Sequence, residues 1–350
     1  TYAPLDRAGK LILADLQPWP VFLSRRRLDE LATACREIAR LLRRIHRLAF
    51  DGDLEAVARF YGFLDVDLLG RFLEEPNGVD PSLTRGDFIY DDGGFRMLEL
   101  NFSPSLGGWE SSVARKLHLE VPSTRRFFED AGLDYETTDT MEELYEHVVS
   151  EVLTRLDPAG PVRLAYSVPD WAVLAQSQEA RDWVNDAWSR VLAHRGLEGS
   201  ATVCTLDELE VNGDRLLHDG RPVHALIYAG AHAAARCHYR LFKRGAFCLF
   251  NGPLEGMLAD KRNLGLLSDL ASRGDLDPDD RATVENHVPW TRIVDDGETL
   301  GPDGGPVPLM EHARTERKNL VLKQSSSFGS RAVVLGTAVD DDAWRAALER

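Results

Sequence analysis

The stretch TRGDFIYDDGGFRMLELNFSP, residues 84–104, decides the fold. Two strand-like runs flank Asp91-Asp92-Gly93-Gly94, a composition that favours a tight hairpin turn. With Asp92-Gly93-Gly94 as the loop, Tyr90 pairs with Arg96, Phe88 with Leu98, Asp87 with Glu99 and Arg85 with Asn101. Side chains alternate faces along a strand. Gly86, Phe88, Tyr90, Arg96, Leu98, Leu100 and Phe102 then share one mostly apolar face suited to a core. Arg85, Asp87, Glu99 and Asn101 gather on the other. Like charges directly opposite on a ladder destabilise it, so this face calls for a cation between the acids. Mg²⁺ fits, because it takes oxygen ligands from one or two carboxylates together with phosphates. A solvated polar face on an edge hairpin is the alternative.

Composition sets the bounds. The chain has 350 residues, enough for two or three domains and a large core. Its net charge of −16 argues against nucleic acid as a main partner, since phosphate-backbone binding needs a basic surface. Nucleotides need only a local cluster of cations and metal, so they stay open. No apolar run approaches the length of a membrane span. Cys35, Cys204, Cys237 and Cys248 are scattered with no CxxC pair, which fits neither a zinc site nor a disulfide framework. Cys237 adjoins His238 and has His232 nearby, but no orienting partner makes them a nucleophilic pair. These features suit a reduced, cytoplasmic protein with no nucleic-acid and no membrane partner.

Periodicity predicts a helix over 25–49, with Leu28, Leu31, Cys35, Ile38, Leu42 and Ile45 on its inner face and arginines elsewhere. Shorter helices follow at 53–61 and 66–75, and further ones at 124–131 and 141–156. Pro158-Ala159-Gly160-Pro161 is a break. A strand–helix–strand pattern then runs from about 160 to 255, with a hairpin around Asp219-Gly220 and a buried strand at Ala225–Tyr228. A helix over 257–271 carries Lys261 near its start. Residues 274–282 and 295–308 read as loops, and a final helix spans 341–350.

A second constellation lies in LVLKQSSSFGSRAVVLG, residues 320–336. Here a strand ending at Lys323 leads into a small-residue loop and a returning strand. Such a loop offers backbone N–H groups and hydroxyls to phosphate oxygens, and the lysine adds a point charge. It is neither a Walker A loop nor a Rossmann fingerprint. A surface hairpin with an exposed lysine is the alternative.

Taken together, these motifs make the chain resemble ATP-grasp ligases, in the circularly permuted branch that includes glutathionylspermidine synthetase-like proteins. The resemblance runs from Arg85-Gly86-Asp87 through Leu98-Glu99-Leu100-Asn101, Pro104-Ser105-Leu106 and Glu110-Ser111. It continues at Asp219-Gly220-Arg221-Pro222-Val223, Asn251-Gly252-Pro253 and Asp260-Lys261, and ends with Val321-Leu322-Lys323 and Phe328–Val334. The acid hairpin preceding the lysines marks the permuted order.

The resemblance implies an α/β (α+β) fold with an ATP-grasp core. It divides the chain into a helical N-terminal segment (1–83), an acid hairpin with helices (84–157), an inserted pre-ATP-grasp-like α/β domain (158–255) and a nucleotide-binding lobe (256–350). The family continues past a helix like 341–350 into a strand that contacts adenine, so that lobe is expected to be truncated at its C-terminal end. The implied activity is ATP- and Mg²⁺-dependent joining of a carboxylate to an amine through an acyl phosphate, with an amino acid, peptide or polyamine as substrate. Asp87, Glu99 and Asn101 match the metal ligands. Arg85 and Ser105 match residues near the reacting phosphoryl and carboxylate groups. Lys261 and Lys323 match the nucleotide lysines. Ser325, Ser326, Ser327 and Gly329 match the phosphate flap. Gln324 replaces a proline common after the second lysine, and the flap lacks paired glycines. The alternatives are a non-catalytic ATP-grasp-like scaffold and a phosphotransferase on the same fold.

Overall fold

The hairpin forms, with β1 (Arg85–Asp91) antiparallel to β2 (Gly94–Asn101). In this computed structural model, the described residues are 21–349 apart from 64, 74–82, 92–93, 103–108, 133–134, 169–175, 229–235, 251–253 and 326–331. Arg85 faces Asn101 and Asp87 faces Glu99. Beyond that pair the register moves by one, so that Phe88 faces Met97 and Tyr90 faces Phe95, not Leu98 and Arg96. Leu98 is therefore an extra residue on β2, a β-bulge. Core packing supplies the reason. The bulge brings Phe95 and Met97 onto the same buried face as Leu100 and Phe102, where an unbroken alternation would have put Arg96 and Leu98. Gly94 pairs with Asp91 and belongs to β2 instead of the loop.

The described chain divides into two compact units. One is built from 24–75, 84–102 and 254–350, the other from the described parts of 1–23, 76–83 and 103–253. In the first, Ser24 caps the helix Arg25–Arg43 by accepting from Arg27 N. That helix buries Ala34, Ile38, Ala39, Leu41 and Leu42. The predicted single helix breaks at Arg44 and resumes as Ile45–Leu48. With the helix Leu54–Tyr61, capped by Asp53, these segments pack on Met97, Leu100 and Phe102 of the hairpin. Gly86 permits the close approach. A Cβ there would lie 2.8 Å from Cys35 Sγ and 2.5 Å from the Phe88 ring.

The second unit is centred on a parallel sheet of β3 (Val162–Ser167), β4 (Gly199–Cys204), β8 (Ala225–Tyr228) and β9 (Cys248–Phe250), ordered β4-β3-β8-β9. Its strands are apolar because both faces are covered. The helices Thr140–Leu156 and Gln178–His194 pack on it, with Tyr145 edge-on to the fully buried Trp188. Trp188 Nε1 donates to Val162 O at 3.2 Å. Gly199 is required where the strands meet, since a Cβ would fall 1.8 Å from that same carbonyl. The hairpin predicted around Asp219-Gly220 is a three-stranded meander of β5 (Leu209–Asn212), β6 (Arg215–His218) and β7 (Arg221–Pro222). Asp219 and Gly220 both take positive φ, as a tight turn of that type demands.

The rest of the first unit corrects three expectations. Helix 257–271 is two helices, Glu255–Leu258 and Arg262–Arg273, with Lys261 at the cap of the second. Segment 274–282 contains the start of a helix, Pro278–His287, that the Asp-rich composition disguised. Asp277 caps it, Pro278 occupies its first turn, and Asp279 and Asp280 favour its N-terminal dipole. Segment 295–308 holds the hairpin β10 (Glu298–Leu300) and β11 (Pro306–Pro308). The last hairpin pairs β12 (Val321–Lys323) with β13 (Val333–Leu335), and the helix Asp341–Leu348 anchors Trp344 beside it. No helix among the described residues is long and apolar enough to cross a membrane.

Asp280 ties the helix Pro278–His287 to the first helix. It is 3% exposed, bonds Arg40, and accepts from Arg44 at 3.0 Å. Burial works against its charge, but the bond from Arg40, with the charges of Arg40 and Arg44, holds it below the usual carboxylate range. A depressed folded value stabilises above the unfolded value and is lost as pH falls through the folded one. Asp280→Asn is therefore expected to lower stability at neutral pH by about 1–2 kcal/mol, the arginines' partial exposure keeping the figure modest. The deficit should shrink towards pH 3. Urea unfolding at both pH values checks this, and equal midpoints at neutral pH would contradict it.

Candidate functional site

The hairpin presents Asp87 and Glu99 side by side because they are register partners on an antiparallel ladder. Asn101, two residues on and on the same face, donates its Nδ2 to Glu99 Oε1 at 3.0 Å. An amide that donates through nitrogen keeps its carbonyl oxygen for another partner. Arg85 Nε lies 3.4 Å from Asp87 Oδ1, both side chains half-exposed.

Two lysines from distant parts of the sequence meet this face. Lys261 stands at the start of the helix Arg262–Arg273, and its Nζ is 3.4 Å from Glu99 Oε2. Lys323 ends β12, and its Nζ donates to Leu98 O at 3.0 Å. Leu98 is the bulge residue, so the irregularity that repairs the core pattern also supplies the carbonyl that seats Lys323. Ser325 O, at the start of the small-residue loop, accepts from Lys261 N at 3.3 Å. The structure thus brings together Arg85, Asp87, Glu99, Asn101, Lys261, Lys323 and Ser325 within one unit. Ser105, Ser326, Ser327 and Gly329 lie outside the described residues, as does His232.

The charges of the acid pair are pushed apart. Burial raises Asp87's pKa above the ordinary carboxylate value; the Arg85 charge opposes this and Glu99 adds to it. Burial acts on Glu99 in the same sense. There the Asn101 bond, Lys261 and then Lys323 outweigh it and hold Glu99 below its ordinary value. Lys323 is itself lowered, chiefly by burial, with Glu99 opposing and Lys261 adding to the shift. Glu99 is the ionised centre of the cluster, and Asp87 is the member whose ionisation meets resistance.

Among the described residues, no three or more His, Cys, Asp or Glu side chains assemble as a candidate metal cage. The donor set here is two carboxylates and an amide. That is short of a full shell for Ca²⁺ or Zn²⁺ and suits Mg²⁺, which leaves several positions to water and phosphate oxygens. A divalent ion beside Asp87 would also favour its ionised form and so offset the effect of burial.

Sequence reasoning missed the bulge at Leu98 and the role of its carbonyl. One further signal was available. Of 41 basic residues only six are lysine, yet two of those six face this hairpin. Among the described residues, most other ion pairs are made by arginine, as at Arg40, Arg115, Arg190 and Arg195. A compact ammonium is the better fit where a phosphate is to be met by a point charge.

No protein-family model matches the chain, and no curated protein matches it. Among solved structures, it is similar to a glutathione synthetase-like effector from Globodera pallida, in its apo form, with a TM-score of 0.43 and 14% identity. The match covers 77% of this chain and 61% of that one, so the chain spans less than two thirds of that protein's length. Similarity at that level assigns no activity.

Asp87's raised value carries a stability consequence. An acid raised on folding contributes its full stability below the unfolded value and loses it as pH rises through the folded value. Asp87→Asn is thus expected to be more stable than wild type at pH 7, with the difference vanishing near pH 3. Thermal unfolding across that range measures it. A variant less stable than wild type at pH 7 would show that Arg85 dominates Asp87 instead.

Proposed function

We propose that this chain is an ATP- and Mg²⁺-dependent carboxylate–amine ligase of the circularly permuted ATP-grasp type. The observation that carries the reading is the meeting of Asp87, Glu99 and Asn101 with Lys261 and Lys323 on one hairpin face. Oxygen donors and ammonium groups interleaved in this way are what a metal–triphosphate complex requires. The flap sequence beginning at Ser325, whose carbonyl is bonded to Lys261 N, adds small residues suited to phosphate.

In this reading ATP phosphorylates the substrate carboxylate, and an amine then displaces phosphate from the acyl phosphate to give an amide. Phosphoryl transfer is largely a matter of positioning and charge neutralisation. A bound Mg²⁺ would neutralise and align the phosphate oxygens. Asp87, Glu99 and the Asn101 carbonyl would hold that ion. Glu99, already ionised, needs no proton loss to do so. Lys261 is placed to exchange its contact with Glu99 for one with phosphate when ATP arrives. Lys323 stays aligned by the Leu98 carbonyl, and its partial burial leaves the ammonium incompletely solvated, so that an anion beside it would be favoured. Arg85 would balance charge on the transferring group. The segment after Lys323 would shield the acyl phosphate from water, which otherwise hydrolyses it. An amino acid, peptide or polyamine supplies the amine.

Glu99→Ala removes a metal ligand and no core contact. ADP formation is expected to fall by about 10²-fold or more, the scale of losing one charge-stabilising group, while the circular dichroism spectrum is retained. The assay screens amino acids and amines for ADP release with the protein, ATP and Mg²⁺. Release that needs both an acid and an amine supports the ligase. Release with a hydroxyl acceptor alone reassigns the chain to phosphotransfer. Absence of Mg·ATP binding makes it a non-catalytic relative, and wild-type turnover by Glu99→Ala removes the assignment.

A further inference from the structure

Lys261 owes its place to a cluster of which the sequence motifs mark only Asp260. Its flanking residues, Asp260 and Arg262, are joined by a closed fork. Arg262 Nε lies 3.0 and 3.1 Å from the two Asp260 oxygens, and Nη2 lies 2.7 Å from Oδ2. Arg262 N also donates to Asp260 Oδ1 at 2.8 Å, so one carboxylate binds both the backbone and the side chain of the residue two positions on. The Asp260 side chain is only 8% exposed. The guanidinium plane lies over Phe60, with Cζ 4.1 Å from the ring centroid. The next residue continues the lock. Buried Asn263 accepts from Tyr61 Oη at 2.5 Å and donates to Met257 O at 2.7 Å and Leu258 O at 3.1 Å. Residues 260, 262 and 263 are thus fixed from both sides by the helix Leu54–Tyr61 and by the preceding turn. Lys261, lying between them, is the one that points to Glu99.

We infer that the Asp260–Arg262 fork, stacked on Phe60, is a positioning element that sets the Lys261 ammonium against Glu99. This goes beyond the ligase reading and rests on it only for the identity of the anion that Lys261 would later meet. Arginine is required because a planar fork is needed both to chelate the carboxylate and to lie flat on an aromatic ring, and lysine does neither. The fork does not touch ligand. It acts by removing the freedom of the turn that carries Lys261, so that the ammonium is already in place.

The test uses the whole chain without nucleotide. Lysines are acylated with a limiting amount of N-hydroxysuccinimidyl acetate, and the extent at each is read by mass spectrometry in wild type, Arg262→Gln, Arg262→Lys and Asp260→Asn. Lys323, in the same unit but carried by the β12–β13 hairpin and not by this helix start, is the reference. Expected is a rise of about fivefold in the ratio of Lys261 to Lys323 acylation in all three variants, with Arg262→Lys no better than Arg262→Gln because charge alone does not rebuild the fork. An unchanged ratio overturns the proposal, and so does a parallel rise at both lysines, which means general loosening of the unit. Rescue by Arg262→Lys overturns the requirement for a fork. A separate titration of wild type with Mg·ATP tests the ligase reading. Its failure leaves the acylation result standing, and failure of the acylation result leaves nucleotide binding standing.

Discussion

Two carboxylates facing each other across a pair of strands are the constraint around which the first unit is organised. Asp87 and Glu99 are register partners, and a ladder penalises like charges in that position. The unit answers by surrounding one acid with donors. Asn101 and Lys261 bond Glu99, and Lys323 stands close enough to lower its pKa. Asp87 is met by half-exposed Arg85 and keeps a raised pKa, chiefly through burial. The asymmetry stores an unfavourable interaction at one point of the surface, as binding sites for cations commonly do.

The scaffold behind this pair is built for close tolerance. Gly86 lets the first helix and Cys35 pack directly behind the acid strand. The Leu98 bulge keeps Phe95, Met97, Leu100 and Phe102 on one buried face while turning Glu99 and Asn101 outward. The cost is one strand residue without a cross-strand partner, and its carbonyl is taken up by Lys323. Packing and site geometry are therefore not separable here. A change that straightened β2 would bury Arg96 and move the seat of the lysine together.

Much of this was legible in the chain. The alternation around the Asp-Gly-rich turn predicts a hairpin with Asp87 opposite Glu99 and Arg85 opposite Asn101, and both pairs are found. Apolar spacing locates the first helix, the parallel strands Val162–Ser167 and Ala225–Tyr228, and the terminal helix. The helix Pro278–His287 is hidden because its start is rich in Asp, Gly and Pro and so reads as a loop, although an Asp cap, an early Pro and first-turn acids are themselves a helix start. The predicted Phe88–Leu98 and Tyr90–Arg96 pairs failed because alternation is a local rule. A bulge answers to the core as a whole, and no residue in the strand announces it.

The sequence by itself determined which chemistry the hairpin could carry: short-range periodicity and a tight turn suffice to set two acids and an amide on one face. Only the tertiary structure decided which cations meet them. Lys261 and Lys323 are more than 160 residues from Glu99 along the chain, and nothing in their local spacing says where they point. The bulge carbonyl and the fork beside Lys261 bring them there, because packing across long sequence separations, not local propensity, sets the last few ångströms.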